Sequence, residues 1–107
     1  MTHGFISKDT EFAARVRDSF NRQQMMHTIG ATITHIEPGS VTIEMPCVEK
    51  IGQQHGFVHG GAVATIADSA CGYAALSLMP SDAGVLTAEF KINFLAPSTG
   101  DYLVATG

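Results

Sequence analysis

Tryptophan is absent from this sequence, cysteine occurs twice, and lysine and arginine together number six. The two cysteines, Cys47 and Cys71, are far apart and form no Cys-x-x-Cys pair. That spacing argues against a zinc knuckle and a disulfide framework, and it fits a reducing cytoplasm. Ten Asp and Glu give the chain a net charge of −4, and no basic cluster is present. Nucleic-acid binding is therefore not expected.

An uninterrupted hydrophobic run is also missing. The most apolar stretch, residues 63–79, is broken by Asp68, Ser69 and Gly72 and has no flanking Lys or Arg. It therefore lacks the pattern of a transmembrane helix. The N-terminal residues lack the basic-then-apolar pattern of a signal peptide. We expect a cytoplasmic protein with no membrane partner.

The length of 107 residues predicts a single domain, residues 1–107. Phe12, Val16 and Phe20 recur every four residues. They predict an amphipathic N-terminal helix over about residues 8–24 that docks on a core.

Four further stretches predict strands. Residues 31–36 and 41–45 are rich in β-branched or alternating apolar residues and flank a Glu-Pro-Gly-Ser turn, which indicates a hairpin. Strict alternation over residues 85–95 predicts the clearest strand of the chain, and residues 102–106 begin another. Because a strand that starts just before the end of the sequence would have an open edge, we expect the chain to be truncated at its C-terminus, with the last strand or strands missing.

Between the hairpin and these later strands, residues 62–78 predict a long helix that is apolar on nearly every side. Such a helix is expected to be buried on every side. So short a chain covers it poorly alone, which favours a homo-oligomer. The order of elements predicts an α+β fold, with a curved antiparallel sheet wrapped around one central helix.

Asp68 is the one charged residue inside this apolar helix. An ionised carboxylate in such surroundings costs several kcal/mol unless partners hold it. Chains keep such a group mainly where chemistry needs it, although a structural, hydrogen-bonded carboxylate is the alternative. Cys71, three residues further on, is interpreted as a small core residue and not as a nucleophile.

Gly60 and Gly61 stand where the helix begins. The first N–H groups of a helix have no intrahelical partner, and the helix dipole adds positive charge there. Such a site can polarise a carbonyl oxygen, although two simple turn glycines are the alternative. Asp68 lies about 12 Å further along the axis. One subunit therefore cannot bring both groups to one carbonyl, and a site shared by two subunits is the easier arrangement.

The His59-Gly60-Gly61 triplet, Asp68 and the stretch Leu86–Leu95 followed by Pro97 resemble the hotdog-fold acyl-CoA thioesterases of the phenylacetic acid degradation (PaaI-like) type. The resemblance covers residues 30–106. It implies a dimer, often paired into tetramers, with active sites at the dimer interface. It also implies hydrolysis of a small-molecule acyl-CoA thioester to free acid and CoA, with no cofactor besides the CoA of the substrate.

The resemblance also implies a role for each matching residue. Asp68 would be nucleophile or general base, and the Gly60 amide would contact the oxyanion. His59 would shape the turn and help to fix the thioester. Gln53 would orient the water or the carbonyl, and Thr87 would assist the water. The expected substrate-binding residues are Gly61, His55, Phe57 and Val58.

Some residues leave alternatives open. Ala96 occupies a position where many family members carry an Arg that can meet CoA phosphates, which favours a non-hydrolysing acyl-CoA-binding hotdog module as the alternative function. Gln54 is as polar as Gln53 and could take its role. His55 and His59 have no third ligand beside them, so no metal is expected. A hydratase would need a histidine after Asp68, and none follows. The acyl group itself stays open.

Overall fold

The computed structural model describes residues 4–107. Along the chain, three α-helices, one 3-10 turn and three strands follow one another: α1 Phe12–Asn21, α2 Gln24–Ile29, β1 Thr32–Glu37, β2 Ser40–Pro46, the 3-10 turn Glu49–Ile51, α3 Gly60–Leu76 and β3 Tyr102–Thr106.

The three strands form one antiparallel sheet in the order β1-β2-β3. The predicted hairpin is confirmed: Glu37 pairs with Ser40 across the turn, and Gly39 has φ 80°, a left-handed value that glycine adopts without strain. On the other side of β2, Met45 pairs with Leu103 of β3. The α+β class predicted from the order of elements is confirmed.

The core lies between this sheet and α3. Alternate residues of β2 point inward, as period-two patterning requires, and Val41, Ile43 and Met45 are fully buried. They meet buried residues of α3 and α1 in one apolar cluster, chiefly Ile66, Ala70, Tyr73, Leu76, Val16 and Phe20. β2 is thus the central strand of the domain.

The prediction of one N-terminal helix over residues 8–24 is wrong in its bounds. The helix α1 begins at Phe12 and ends at Asn21, and a second helix follows after Gln23, whose backbone is extended. In one continuous helix, at about 100° per residue, Ile29 would point away from the face that carries Phe20. The break lets both residues be buried. Gly30, with φ 73°, ends the second helix.

The prediction of a strand over residues 85–95 is also wrong. A strand needs a hydrogen-bonded neighbour. No other part of residues 4–107 pairs with this segment, and β3 pairs with β2, so the expected meander does not form. Leu86 and Leu95 are almost fully exposed. The segment instead runs along α3, where Val85 lies beside Gly72 and Phe94 beside Gly60.

The prediction that α3 is buried on every side is wrong for the single chain, because three strands cover only one face of it. Its buried residues are Ile66, Ala70, Tyr73, Ala74 and Leu76. Cys71 is exposed, which corrects its interpretation as a core residue. A homo-oligomer that covers the open face stays a prediction. None of the helices within residues 4–107 has the length and apolarity needed to cross a membrane.

Arg15 fastens α1 to the end of α3. Its guanidinium donates to the carbonyl oxygens of Leu76 and Met79, each at 2.8 Å, and also to that of Pro80. Its Nε lies 3.3 Å from an Asp9 carboxylate oxygen, an ion pair without hydrogen-bond geometry. A cation at a helix C-terminus satisfies carbonyls that have no intrahelical donor.

Replacing Arg15 by Ala should lower the free energy of unfolding by about 2 kcal/mol, because half-buried carbonyls lose a charged donor. Arg17→Ala is the matched control, since Arg17 lies on the same helix and is exposed. It should change stability by less than about 0.5 kcal/mol. Urea unfolding followed by circular dichroism measures both, and equal stability of the two variants would contradict the role given to Arg15.

Candidate active site

A tight turn precedes α3. Gly52 and Val58 form an isolated bridge that closes it. Inside the turn, the side-chain oxygen of Gln53 accepts hydrogen bonds from the backbone N–H groups of His55 (2.6 Å) and Phe57 (3.2 Å). The Gln53 oxygen therefore holds the turn in shape. Its side-chain NH₂ has no hydrogen-bond partner within residues 4–107.

His59 is the N-cap of α3. Its Nδ1 accepts a hydrogen bond from the N–H of Gly61 at 2.8 Å. An imidazole nitrogen that accepts carries no proton, so in the neutral ring the proton is on Nε2. The Gly61 amide is consequently occupied.

Gly60, the first residue of α3, keeps its backbone N–H without an acceptor in the part of the chain that the structure describes. The ring of Phe94 lies over this residue, 3.5 Å from where a Cβ would stand. Gly60 lines a cavity of about 450 Å³, here called the Gly60 cavity. Its other lining residues include Gln53, Phe57, Val58, Phe94 and Ala96. An unpaired amide at a helix N-terminus, beside a cavity, can donate to a ligand oxygen.

Asp68 lies two turns further along α3 and is half-buried. Its Oδ1 accepts a hydrogen bond of 2.7 Å from the hydroxyl of Thr87. Thr87 therefore links the unpaired segment, residues 85–95, to the helix α3. No basic side chain within residues 4–107 forms an ion pair with Asp68. The carboxylate thus has one oxygen held and the other open.

Asp68 lines two cavities. The larger, of about 550 Å³, lies between α1 and α3 and is here called the α1–α3 cavity. The smaller, of about 260 Å³, is bordered by Met25, Met26 and Phe90. Gln23, at the junction of α1 and α2, lines both. Asp68 is therefore accessible from two sides.

The structure thus brings the sequence-predicted residues together in two groups. Asp68 and Thr87 form one, and Gln53, Phe57, Val58 and Gly60 form the other around the Gly60 cavity. Gly60 and Asp68 line different cavities. This agrees with the expectation, based on their spacing in the sequence, that one subunit does not bring both groups to the same carbonyl.

Three predicted residues lie at the edge of these groups. His55 is exposed and contributes its backbone N–H to the turn. Gly61 is exposed, and its amide donates to His59. Gln54 is exposed, unlike Gln53. Within residues 4–107, no three His, Cys, Asp or Glu side chains gather closely enough to hold a metal ion.

Sequence reasoning missed the polar residues that line the α1–α3 cavity together with Asp68. Ser19, Gln23 and Tyr73 form a hydrogen-bonded cluster in its wall. Tyr73 gave a signal, as a polar-tipped residue in an apolar helix five positions after Asp68. Ser19 and Gln23 gave none, because their place beside α3 depends on how α1 docks.

An antiparallel sheet packed against one long central helix is the architecture of the hotdog-fold thioester hydrolases. A crystal structure of a thioesterase family protein from Silicibacter pomeroyi is 53% identical, with a TM-score of 0.87 over 89% of this chain and 70% of that one. The Escherichia coli PaaI protein from the phenylacetic acid degradation operon is 24% identical, with a TM-score of 0.79 over 90% and 68% of the two chains, and so supports the fold.

Two sequence comparisons agree with this class. A 1,4-dihydroxy-2-naphthoyl-CoA hydrolase from Listeria monocytogenes is 29% identical over 82 residues, which are 77% of this chain and 67% of that protein. The family model of the thioesterase superfamily matches residues 55–107. This chain belongs to the thioesterase superfamily.

Removing the His59 cap tests the local architecture of the site. His59→Ala should lower the free energy of unfolding by about 1 kcal/mol, the usual effect of losing an N-cap. His59→Asn should retain most of that stability, because an Asn oxygen can accept from the same amide. Urea titration of both variants measures the difference, and equal stability would show that the ring nitrogen does not cap the helix.

Proposed function

We propose that this chain hydrolyses an acyl-CoA thioester to the free acid and CoA. The observation that carries the proposal is the Thr87–Asp68 hydrogen bond of 2.7 Å, which holds a half-buried carboxylate beside a cavity. This carboxylate accepts from a neutral hydroxyl and forms no ion pair within residues 4–107, so its second oxygen is not engaged by a cation and can take part in the reaction. The relative that acts on an aryl-CoA ester supports the substrate class.

Asp68 supplies the attacking group. Thr87 fixes Oδ1, so Oδ2 is left to attack the thioester carbonyl carbon as nucleophile or to take a proton from an attacking water as general base. In the second route Thr87 also helps to place the water. In both routes a C–O bond forms at the carbonyl carbon and negative charge develops on the carbonyl oxygen.

The Gly60 N–H stabilises that charge. It is the unpartnered amide at the start of α3, so its dipole and that of the helix are already oriented toward the oxyanion before the reaction begins. Collapse of the intermediate breaks the C–S bond. The CoA thiolate leaves and takes up a proton, and the acyl group departs as carboxylate once water has been consumed.

Two subunits complete each site. Gly60 and Asp68 stand about 12 Å apart along one helix, too far for one thioester carbonyl. A dimer that sets the Gly60 amide of one copy opposite the Asp68 of another brings both to the same carbonyl. The open face of α3, where Cys71 is exposed, is the surface that such a partner would cover.

The turn before α3 positions the substrate. Gln53 presents its free NH₂ beside Gly60 and orients the carbonyl or the water, while His59 fixes the amides through its cap. Phe57 and Val58 supply apolar walls of the Gly60 cavity. His55 and Gly61, on the exposed rim, would contact the CoA portion. The alternative function, an acyl-CoA-binding module without hydrolysis, is favoured by Ala96 in that cavity, which supplies no charge for a phosphate.

Asp68→Asn should lower kcat/KM for acyl-CoA hydrolysis by about 10³-fold, because the amide neither attacks nor accepts the water's proton. The variant keeps the acceptor for Thr87, so the fold should be preserved. Asp82→Asn, which removes an exposed carboxylate near the same segment, is the control and should hydrolyse at the wild-type rate. Thiol release from a panel of acyl-CoAs is the measurement. Unchanged turnover in the Asp68 variant would refute its role, and binding without thiol release by the wild type would favour the binding module.

Gly60→Pro isolates the oxyanion contact. Proline is well accepted at the first helical position, and His59 already has the extended backbone that must precede it. The substitution removes the N–H and should lower kcat by about 10²-fold. Gly60→Ala retains the N–H, and its Cβ would make an ordinary contact with Phe94. It should therefore keep most of the activity, and equal rates for the two variants would exclude the amide contact.

Mixing the inactive Asp68→Asn and Gly60→Pro chains tests the shared site. After refolding together, a mixed dimer has one site with both native groups, so about a quarter of the wild-type activity should return. If each site lay within one chain, every site in the mixture would carry one defect and no activity would return.

A further inference from the structure

A further cavity, of about 220 Å³, lies between α1, α2 and the start of β1. It is here called the Arg17 cavity. Its walls are Arg17, Phe20 and Asn21 of α1, His27 of α2, and residues 31–33. None of these residues lines the α1–α3 cavity or the Gly60 cavity, so the proposed reaction does not use them.

Helical periodicity separates this cavity from the candidate active site. At about 100° per residue, Arg15 and Ser19 share one face of α1, whereas Arg17 and Asn21 share the opposite one. The first pair lines the α1–α3 cavity and the second pair lines the Arg17 cavity. A ligand in the Arg17 cavity would therefore be separated from Asp68 by the helix α1.

The Arg17 cavity has an unpaired cation in its wall. The Arg17 guanidinium forms no ion pair and no hydrogen bond within residues 4–107. The other two arginines near it are engaged, since Arg15 donates to the Leu76 carbonyl oxygen and Arg22 pairs with Asp18 at 3.2 Å. No Asp or Glu is among the described residues that line the cavity. The wall can therefore attract an anion.

A histidine stands in the same wall in a fixed orientation. The Nε2 atom of His27 lies 2.8 Å from the carbonyl oxygen of Asn21. Because a carbonyl oxygen only accepts, Nε2 carries a hydrogen and donates it. The other ring nitrogen, Nδ1, has no partner within residues 4–107, and in the charged ring it donates as well. The Thr32 hydroxyl adds a third polar group to the wall.

The rest of the wall is apolar. Phe20 and Ala31 are buried, Ile33 is half-buried, and the Phe20 ring packs on Tyr73 with centroids 6.0 Å apart. An apolar cavity of about 150 Å³ is large enough to hold benzene. A volume of about 220 Å³ therefore has room for one ring and a small charged group.

We infer that the Arg17 cavity binds a small carboxylic acid with an apolar body, an aryl carboxylate being the best fit. The planar guanidinium of Arg17 matches the two oxygens of a carboxylate, and His27 supplies a second donor. The apolar wall favours such an acid over inorganic phosphate, which has no apolar surface to bury there. The acid that the proposed hydrolysis releases belongs to the same chemical class, but the inference does not depend on that reaction.

Benzoate is the probe that tests this site. Titration of the full chain with benzoate, followed by ¹⁵N–¹H correlation spectra, should shift the amide signals of Phe20, His27 and Thr32. Benzamide has the same shape without the charge and should bind at least about tenfold more weakly, because it loses a charge-assisted contact with Arg17. Inorganic phosphate should also bind more weakly than benzoate.

Two variants assign the binding to the Arg17 cavity. Arg17→Gln should raise the Kd for benzoate by about tenfold. Lys50→Gln removes an exposed cation elsewhere in the chain, so it is the charge-matched control and should leave the Kd unchanged. Thr32→Phe places a ring in the cavity from an exposed strand position and should abolish binding, while urea unfolding near the wild-type midpoint shows that the fold is kept.

Three outcomes would overturn the inference. The first is a set of shifts confined to the surroundings of Asp68 and Gly60, which would place benzoate in the thioester site. The second is equal affinity of the wild type and Arg17→Gln for benzoate. The third is binding of phosphate or benzamide as tight as that of benzoate. Because the titration needs no turnover, its result is independent of whether the chain hydrolyses an acyl-CoA.

Discussion

The packing of α3 against one side of a three-stranded sheet is the constraint on which the rest of the structure depends. The sheet and the N-terminal helices bury Ile66, Ala70 and Tyr73 and leave the opposite face of the helix open. Residues of α3 that the sheet does not cover line the α1–α3 cavity and the Gly60 cavity. Both candidate catalytic groups belong to this helix, so its rise per residue fixes their separation, and its packing places them beside different cavities.

The N-terminal helices α1 and α2 dock beside α3, and α1 and the residues that join it to α2 form one wall of the α1–α3 cavity. Arg15 ties α1 to the last turn of α3, and the break at Gln23 lets the second helix bury Met26 and Ile29 beside it. The same docking forms the α1–α3 cavity and lays Ser19 and Gln23 against Tyr73. The docking of the N-terminal helices therefore contributes to the stability of the domain and also shapes the α1–α3 cavity.

Much of the fold could be predicted from local patterns. The hairpin followed from a Pro-Gly turn between alternating residues, and the helix start followed from the two glycines Gly60 and Gly61. The strand over residues 85–95 could not be predicted correctly, since alternation records which side chains face which way and not whether a neighbouring strand is present. The same segment nevertheless brings Thr87 to Asp68.

By itself, the sequence determined the α+β class, the central helix, the isolated acid at Asp68 and the glycines at the helix start, because turn chemistry and periodicity act over a few residues. It also determined that Gly60 and Asp68 are about two turns apart, since helical rise is fixed by backbone geometry. Only the tertiary structure decided that Thr87 donates a hydrogen bond to Asp68 and that the polar cluster of Ser19, Gln23 and Tyr73 lines the same cavity as Asp68. Those contacts join residues distant in the chain, and their formation depends on packing that no local pattern encodes.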